Sequence, residues 1–263
     1  STKAYQYGFS STMTYMNDWF FMPLFMFGWL PIVYYTKVRS IPEYFEKRFN
    51  KTARYLATTM TLLYMIGYIA IQLLTLATAL YRIYNIPLMM TVIIIAIATT
   101  IYMHFGGQTS VIFTDLFQGL ILLFAGLLLF FLGLQYLGYG QFSNGLSSFW
   151  SYLSPGQKLP LAHFNHPPNF NFVGIFWQDG IAGSIGFLFL NQGLIMRFMA
   201  ARSVNEGRKA AAFNVLLILP ISAIVVSNAG WIGRAIANGM PGVLPVDLQP
   251  NDVFVAVTNI VAS

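Results

Sequence analysis

"HFGGQTSVIFTDLFQGLILLFAGLLLFFLGL", running from His104 to Leu134, decides what kind of chain this is. From Leu116 onward it is almost wholly apolar, and about 20 such residues cross the ~30 Å hydrocarbon core of a bilayer as a helix. Yet a carboxylate, Asp115, and a carboxamide, Gln118, stand three positions apart near its entrance. An acid at mid-bilayer costs about 2.5–3.5 kcal/mol even on lenient insertion scales. Asp115 therefore needs a reason to be there.

The rest of the chain has the same character. Its 263 residues are 57% hydrophobic and 8% charged, where soluble domains carry roughly 25% charge. Cysteine is absent, which removes disulfide frameworks and thiolate metal sites from consideration. A net charge of +6 does not point to nucleic acid, because the basic residues cluster in short connections between apolar runs. Six runs of spanning length lie at about 10–36, 53–81, 87–104, 109–137, 172–199 and 209–236, and a seventh starts near 252. They are too long and too uniformly apolar for barrel strands of about ten residues, so the expected class is an all-α integral membrane protein. The chain starts at Ser1 and stops inside an apolar run, "VAVTNIVAS", which is read as a piece of a longer protein.

Charge sets the orientation. "TKVRSIPEYFEKRFNKTAR" (36–54) and "MRFMAARSVNEGRKA" (196–210) hold ten of the fourteen basic residues, and six crossings put both on one side. That side is expected to be cytoplasmic. The opposite side receives "YRIYN", the stretch from about 138 to 171, and the Pro- and Gly-rich "NGMPGVLPVDLQPN". Gly119, Gly126 and Gly133 recur every seven residues, a small-residue stripe where a neighbouring helix can approach. In "DGIAGSIGFLFLNQG" (179–193), Gly180, Gly183 and Gly186 predict either close packing or a discontinuous membrane helix offering bare backbone to a solute.

Three acids fall within the apolar runs: Asp18, Asp115 and Asp179. Asp115 and Gln118 share a helix face, and with Thr114 they form an oxygen-rich patch suited to a hard cation such as sodium. A hydrogen bond to a neighbouring helix end, or pairing with a cytoplasmic arginine, is the plainer reading. Tyr15 and Asp18 also share a face and could hold a hydroxylated or cationic ligand, unless Asp18 simply sits at the outer water boundary. His163 and His166, three apart, lack the further ligands a zinc site needs. Depth argues against an aspartyl-protease dyad that includes Asp115. Asp115 lies near the cytoplasmic face and Asp18 and Asp179 near the outer one, too far apart to share a proton. The chain is not read as an enzyme.

"FGGQTSVIFTDLFQG" resembles the GG-x-x-A-V-x-x-TD-x-x-Q stretch of the sodium/solute symporters, with Ser110 for the alanine. "LPIVYYTKVRSIPEYFEKRFN" is similar to that family's LP…TIPE-x-x-E-K-R-F loop. "NQGLIMRFMAARSVNEGRKA" is similar to its DQ-x-x-x-QR-x-L-A-A-K-S-x-x-E-A-x-K loop, with Asn191 and Met196 departing.

The resemblance implies a LeuT-like bundle of five plus five helices in inverted repeats, with solute and sodium near the midplane. The chain would be a single transporter domain over 1–263, holding core helices two to seven and the start of the eighth. The first core helix would precede Ser1, and the main sodium site would lie outside the chain. The implied activity is sodium-coupled symport by alternating access, with sodium as coupling ion and no other cofactor. Asp115, with Gln118, would line the sodium path or ligate a second ion. Gln192 would bond exposed groups of the glycine-rich helix, and Arg197 would sit at the cytoplasmic gate. Tyr15, Asp18, Ser184 and Phe187 fall at solute-contact positions, where sugar-carrying members have Glu, Ser, Asn and Tyr; Leu216 stands for a Lys. The implied solute is thus a sugar, polyol, amino acid or amine, with a glucose-like sugar disfavoured. A membrane sensor domain fused to a signalling module and a passive channel are the alternatives.

Overall fold

The computed structural model describes residues 1–262 except His166 and Val246, and only the backbone at Arg82 and Gln108. The second member of the His163/His166 pair therefore lies outside the described residues. Among those described, the secondary structure is helical throughout. We label the helices α1 (Thr2–Tyr7), α2 (13–36), α3 (Ile41–Arg48), α4 (Lys51–Tyr84), α5 (Leu88–Gly107), α6 (Thr109–Leu137), α7 (Phe142–Tyr152), α8 (Phe172–Leu190), α9 (Gln192–Met199), α10 (Val204–Gly239) and α11 (Val253–Val261). Six helical runs are long and apolar enough to cross a membrane. Two compact units result: Ser1–Lys37 with Leu122–Ser263, and Val38–Ile121.

In the first unit everything is organised along α10. Helix α2 runs antiparallel to it. Trp19 Nε1 donates to the Val215 carbonyl (2.8 Å), Arg208 Nε to the Met26 carbonyl (3.0 Å), and the Tyr34 hydroxyl to the Arg202 carbonyl (3.1 Å). Helix α1 runs the other way, parallel to α10. The Ser1 hydroxyl donates to the Val226 carbonyl (2.8 Å), Gly230 abuts Ala4, and Trp231 Nε1 donates to the Gly8 carbonyl (3.0 Å). The stretch 2–36 is therefore a hairpin rather than one rod. Its reversal is Gly8, at φ 69° and ψ −139°, followed by a tight 3₁₀ turn over Gly8–Thr12. A side chain at Gly8 would meet the backbone of Gln157. The left-handed conformation and the close approach both demand glycine there.

Two of the three heptad glycines form the expected seam. A Cβ on Gly126 would meet Val225, and one on Gly133 would meet Ile232, so α6 and α10 lie parallel with the same seven-residue step. Between these contacts Asn228, 1% exposed, donates from Nδ2 to the Gly126 carbonyl. A buried carboxamide with no partner would cost about 1–3 kcal/mol, so this bond fixes the register of the pair. Gly119 faces open space. Around this seam Leu134, Leu137, Phe149, Trp231, Ile236, Val253 and Val257 make the core.

The discontinuity expected at Gly180–Gly186 is not where the chain breaks. Residues Phe176–Leu190 are helical throughout, wound in wide turns with i→i+5 hydrogen bonds. The break comes at Asn191, in extended backbone (φ −74°, ψ 105°), whose side chain accepts from the Leu194 amide (3.1 Å) and starts α9. A wide turn lets the glycine-rich segment bulge without leaving backbone groups unpaired, which lipid does not permit.

The second unit holds α3 packed against α4, and α5 followed by the first part of α6, with the chain redirected at Gly107 (φ 60°, ψ −168°). Only 6% of the most apolar window of α4, and likewise of α5, is buried. Apolar side chains on every face are what an acyl-chain solvent requires. The cytoplasmic motifs read as helix starts. Ser40 caps α3 by accepting from the Glu43 amide (3.3 Å), and Ser203 caps α10 by accepting from the Glu206 amide (3.2 Å). Glu43 in turn accepts the Arg39 amide (2.7 Å) and pairs with Lys47 (3.1 Å), which hold its carboxyl below the usual glutamate range. With a lowered folded-state pKa, this cap contributes fully above the ordinary glutamate pKa and is lost as pH falls through the lowered one.

Gly8→Ala is expected to destabilise the first unit by about 1–3 kcal/mol, from a strained backbone and a clash with Gln157. Gly28→Ala, at a helical position with open space around it, serves as the control. Thermal unfolding of the detergent-solubilised protein reads the difference; equal melting temperatures for Gly8→Ala and wild type would remove the reversal from the argument.

Candidate functional site

The hairpin sets the site. After the Gly8–Thr12 turn, α2 starts at Met13 and carries Tyr15, Asn17 and Asp18 along its first turns, against the wide-turned start of α8. Gly180 faces Phe21 and Asn17 there, at a distance where even a methyl group would make only ordinary contact. Ser184 is buried (4% exposed), and its hydroxyl donates to the Asp179 carbonyl (3.2 Å), five residues back, as the wide turn dictates. The Asp18 carboxyl lies within hydrogen-bonding reach of the same hydroxyl. The Tyr15 phenol is within electrostatic reach of Asp179, and so is Lys3.

Three of the four residues expected to touch solute thus lie on two helices in contact, Tyr15 and Asp18 on α2 and Ser184 on the start of α8. Phe187, three residues on from Ser184, stays 39% exposed along the same helix. Two further groups belong to the cluster. Asp179 stands out in the sequence as an acid in an apolar run, but nothing there says that it faces Tyr15. Asn17 was not anticipated. Its Nδ2 is buried with no acceptor among the described residues, and its only signal in the sequence is a carboxamide beside an acid in a membrane run. The cluster therefore offers two carboxylates and a phenol, together with one unspent amide donor. It can hold a small solute that presents several hydrogen-bond donors and at least one acceptor.

Asp115 and Gln118 belong to the other unit, both exposed in the first half of α6, with the Thr114 hydroxyl bonded back to the Ser110 carbonyl (2.8 Å). Gln192 and Arg197 lie in the first and last turns of α9. Among the described residues no group of three or more His, Asp or Glu is placed to hold a metal ion.

The chain matches the sodium:solute symporter family over residues 1–262. It is 30% identical over 205 residues to a sodium/glucose cotransporter of Vibrio parahaemolyticus, covering 75% of this chain and 37% of that protein. It is 26% identical over 215 residues to the sodium-coupled monocarboxylate transporter 2 of Bos taurus, covering 81% of this chain and 34% of that one. With the sodium/sialic acid symporter SiaT of Proteus mirabilis (strain HI4320) the identity is 27% over 240 residues, 83% of this chain and 46% of the relative. The chain spans about a third of the length of the first two, and their names describe transporters, not enzymes. With six membrane-length helices and a family match along its described length, the chain is a multi-pass membrane protein of the sodium:solute symporter family.

Proposed function

We propose that the protein couples sodium entry to the uptake of a small, donor-bearing solute, and that Tyr15, Asp18 and Ser184, with Phe187 alongside, contact that solute. The observation that supports this reading is the packing of the start of α2, with Tyr15 and Asp18, against the start of α8, with Asp179 and Ser184, in a family whose named members move solutes with sodium. In this reading residues 1–263 form one transporter domain built on a LeuT-like inverted repeat. Helices α8 to α11 begin the second repeat, and alternating access exposes the α2–α8 cluster to each side in turn.

Relatives carry solutes as different as glucose, monocarboxylates and sialic acid. Two carboxylates in one cluster disfavour an anion, because like charges brought together in a weakly polar medium repel. A polyol, an amine or a zwitterion suits the donors and acceptors present. Asp115 and Gln118 serve as the sodium path on the cytoplasmic side, where an exposed carboxylate and amide oxygen stabilise a partly dehydrated cation. Gln192 and Arg197 form part of the cytoplasmic gate, and sodium is the coupling ion.

Counterflow uptake by the intact transporter in liposomes, screened over hexoses, polyols, amino acids and amines with and without a sodium gradient, tests the reading. Uptake indifferent to sodium for every solute would defeat it. Asp18→Asn is expected to weaken solute affinity by about tenfold or more, the equivalent of one charged hydrogen bond, while leaving the sodium dependence in place. Asp115→Asn is expected to do the reverse, lowering apparent sodium affinity at unchanged expression; a wild-type sodium curve in that variant would clear Asp115 of the role.

A further inference from the structure

A second cavity, of about 270 Å³, lies on the outer side, between the end of α1 with its Gly8–Thr12 turn and the connection from Ser154 to Phe170. One wall is an aromatic pair: Tyr7 and Phe170 stack with ring centroids 4.0 Å apart and 7° between planes. Leu159 and Leu161 add to the apolar side, and Ser10, Gln157, Gln6 and His163 supply the polar one. This cavity is separate from the α2–α8 cluster and does not depend on that reading.

Two of its polar side chains are more than nine-tenths buried, Ser10 at 6% and Gln157 at 7% exposed, and their local bonds leave them with opposite needs. The Gln157 carbonyl oxygen Oε1 accepts from the Ser154 amide (3.1 Å) and from Asn238 Nδ2 (3.3 Å). The Ser154 amide can only donate, and Asn238 Nδ2 also donates to the Tyr152 carbonyl (2.9 Å), so both carboxamide orientations are fixed by the backbone. What remains of Gln157 is its Nε2, which donates to no acceptor among the described residues and, unlike the fully buried orphans, keeps some exposure. Ser10 is the complement. Its proton goes to the Tyr7 carbonyl (2.9 Å), leaving oxygen lone pairs that require a donor.

A ligand completing this cavity must therefore accept from Gln157 and donate to Ser10. A hydroxyl does both. A carboxylate has no proton for Ser10, and an ammonium has no lone pair for Gln157. Among the described residues no acidic residue, lysine or arginine lines the cavity; the Lys3 ammonium sits beside the ring pair instead, 5.4 and 5.7 Å from the centroids. The ring pair and the neighbouring leucines supply the apolar side that the carbon face of such a molecule needs. We infer that this is an outer docking site for a neutral, multiply hydroxylated small molecule, occupied before or independently of the membrane-embedded cluster.

The test uses the intact protein in nanodiscs and follows deuterium uptake of the 154–170 segment. The probes are myo-inositol, sodium acetate and ethanolamine. Myo-inositol should slow exchange there in the wild type and equally in Asp18→Asn, which alters only the inner cluster, while acetate should not. Gln157→Glu keeps the oxygen that caps Ser154 but replaces the donor by an acceptor. It should raise the half-saturating myo-inositol concentration about tenfold and make the segment responsive to ethanolamine. Ser10→Ala, which leaves the Gln157 cap untouched, should weaken myo-inositol in the same way. The site is refuted if myo-inositol gives no protection. It is refuted equally if both variants bind like wild type, or if Asp18→Asn alone abolishes the protection, which would locate the ligand in the inner cluster.

Discussion

The reversal at Gly8 is the constraint on which the first unit depends. A glycine at φ 69° lets the chain turn back within a few residues, and the Gly8 carbonyl accepts from the Ser11 hydroxyl within the turn and from Trp231 on α10. One helix, α10, thereby holds two segments of opposite direction: α1 beside its outer half and α2 along the rest. Orphaned backbone groups are costly where water is scarce, so the indole donor and the tight 3₁₀ turn are conditions for the hairpin. The same turn sets where α2 begins, and so the depth at which Tyr15, Asn17 and Asp18 face α8.

On the other side of α10 the constraint is close approach. Gly126 and Gly133 admit Val225 and Ile232, and Asn228 anchors to the Gly126 carbonyl between them. Dispersion between helices is weak competition for lipid contacts, because acyl chains are as apolar as leucine; intimate packing and one buried hydrogen bond must specify the pairing. α10 is thus fixed on both faces, by the α1–α2 hairpin and by α6. The wide turns of α8 are a contrasting device. They keep the glycine-rich segment helical and let the Ser184 hydroxyl reach the main-chain carbonyl of Asp179, five residues back.

The family's cytoplasmic motifs have a simple physical content here. The Ser-x-x-Glu of "SIPE" and that of "SVNE" are the N-caps of α3 and α10, each with a serine oxygen on the glutamate's amide. Such caps stabilise a helix start by roughly 1 kcal/mol and fix where it begins. A resemblance carried by these motifs therefore reports on where helices start at the membrane surface. It says nothing by itself about what is carried, and the differences at Tyr15, Asp18 and Ser184 lie elsewhere.

Much of this was legible in the sequence. Apolar length gave six crossings because lipid allows little else. Two of the three heptad glycines marked the stripe where α6 packs closely, though not its partner, and acids in apolar runs singled out Asp18 and Asp179 as candidates, since an acid is costly there. Other features were not legible. α1 is six residues long with no cap signal, so periodicity could not separate it from α2, and only its contacts with α10 reveal its direction. The glycines of α8 suggested a break that came instead at Asn191, because wide turns satisfy the backbone and only tertiary packing selects them. Asn17, and the pairing of Ser10 with Gln157 across nearly 150 residues, depend on which side chains already have partners. That is a property of the packed molecule, since a residue's remaining hydrogen-bonding capacity is set by neighbours the linear order does not name.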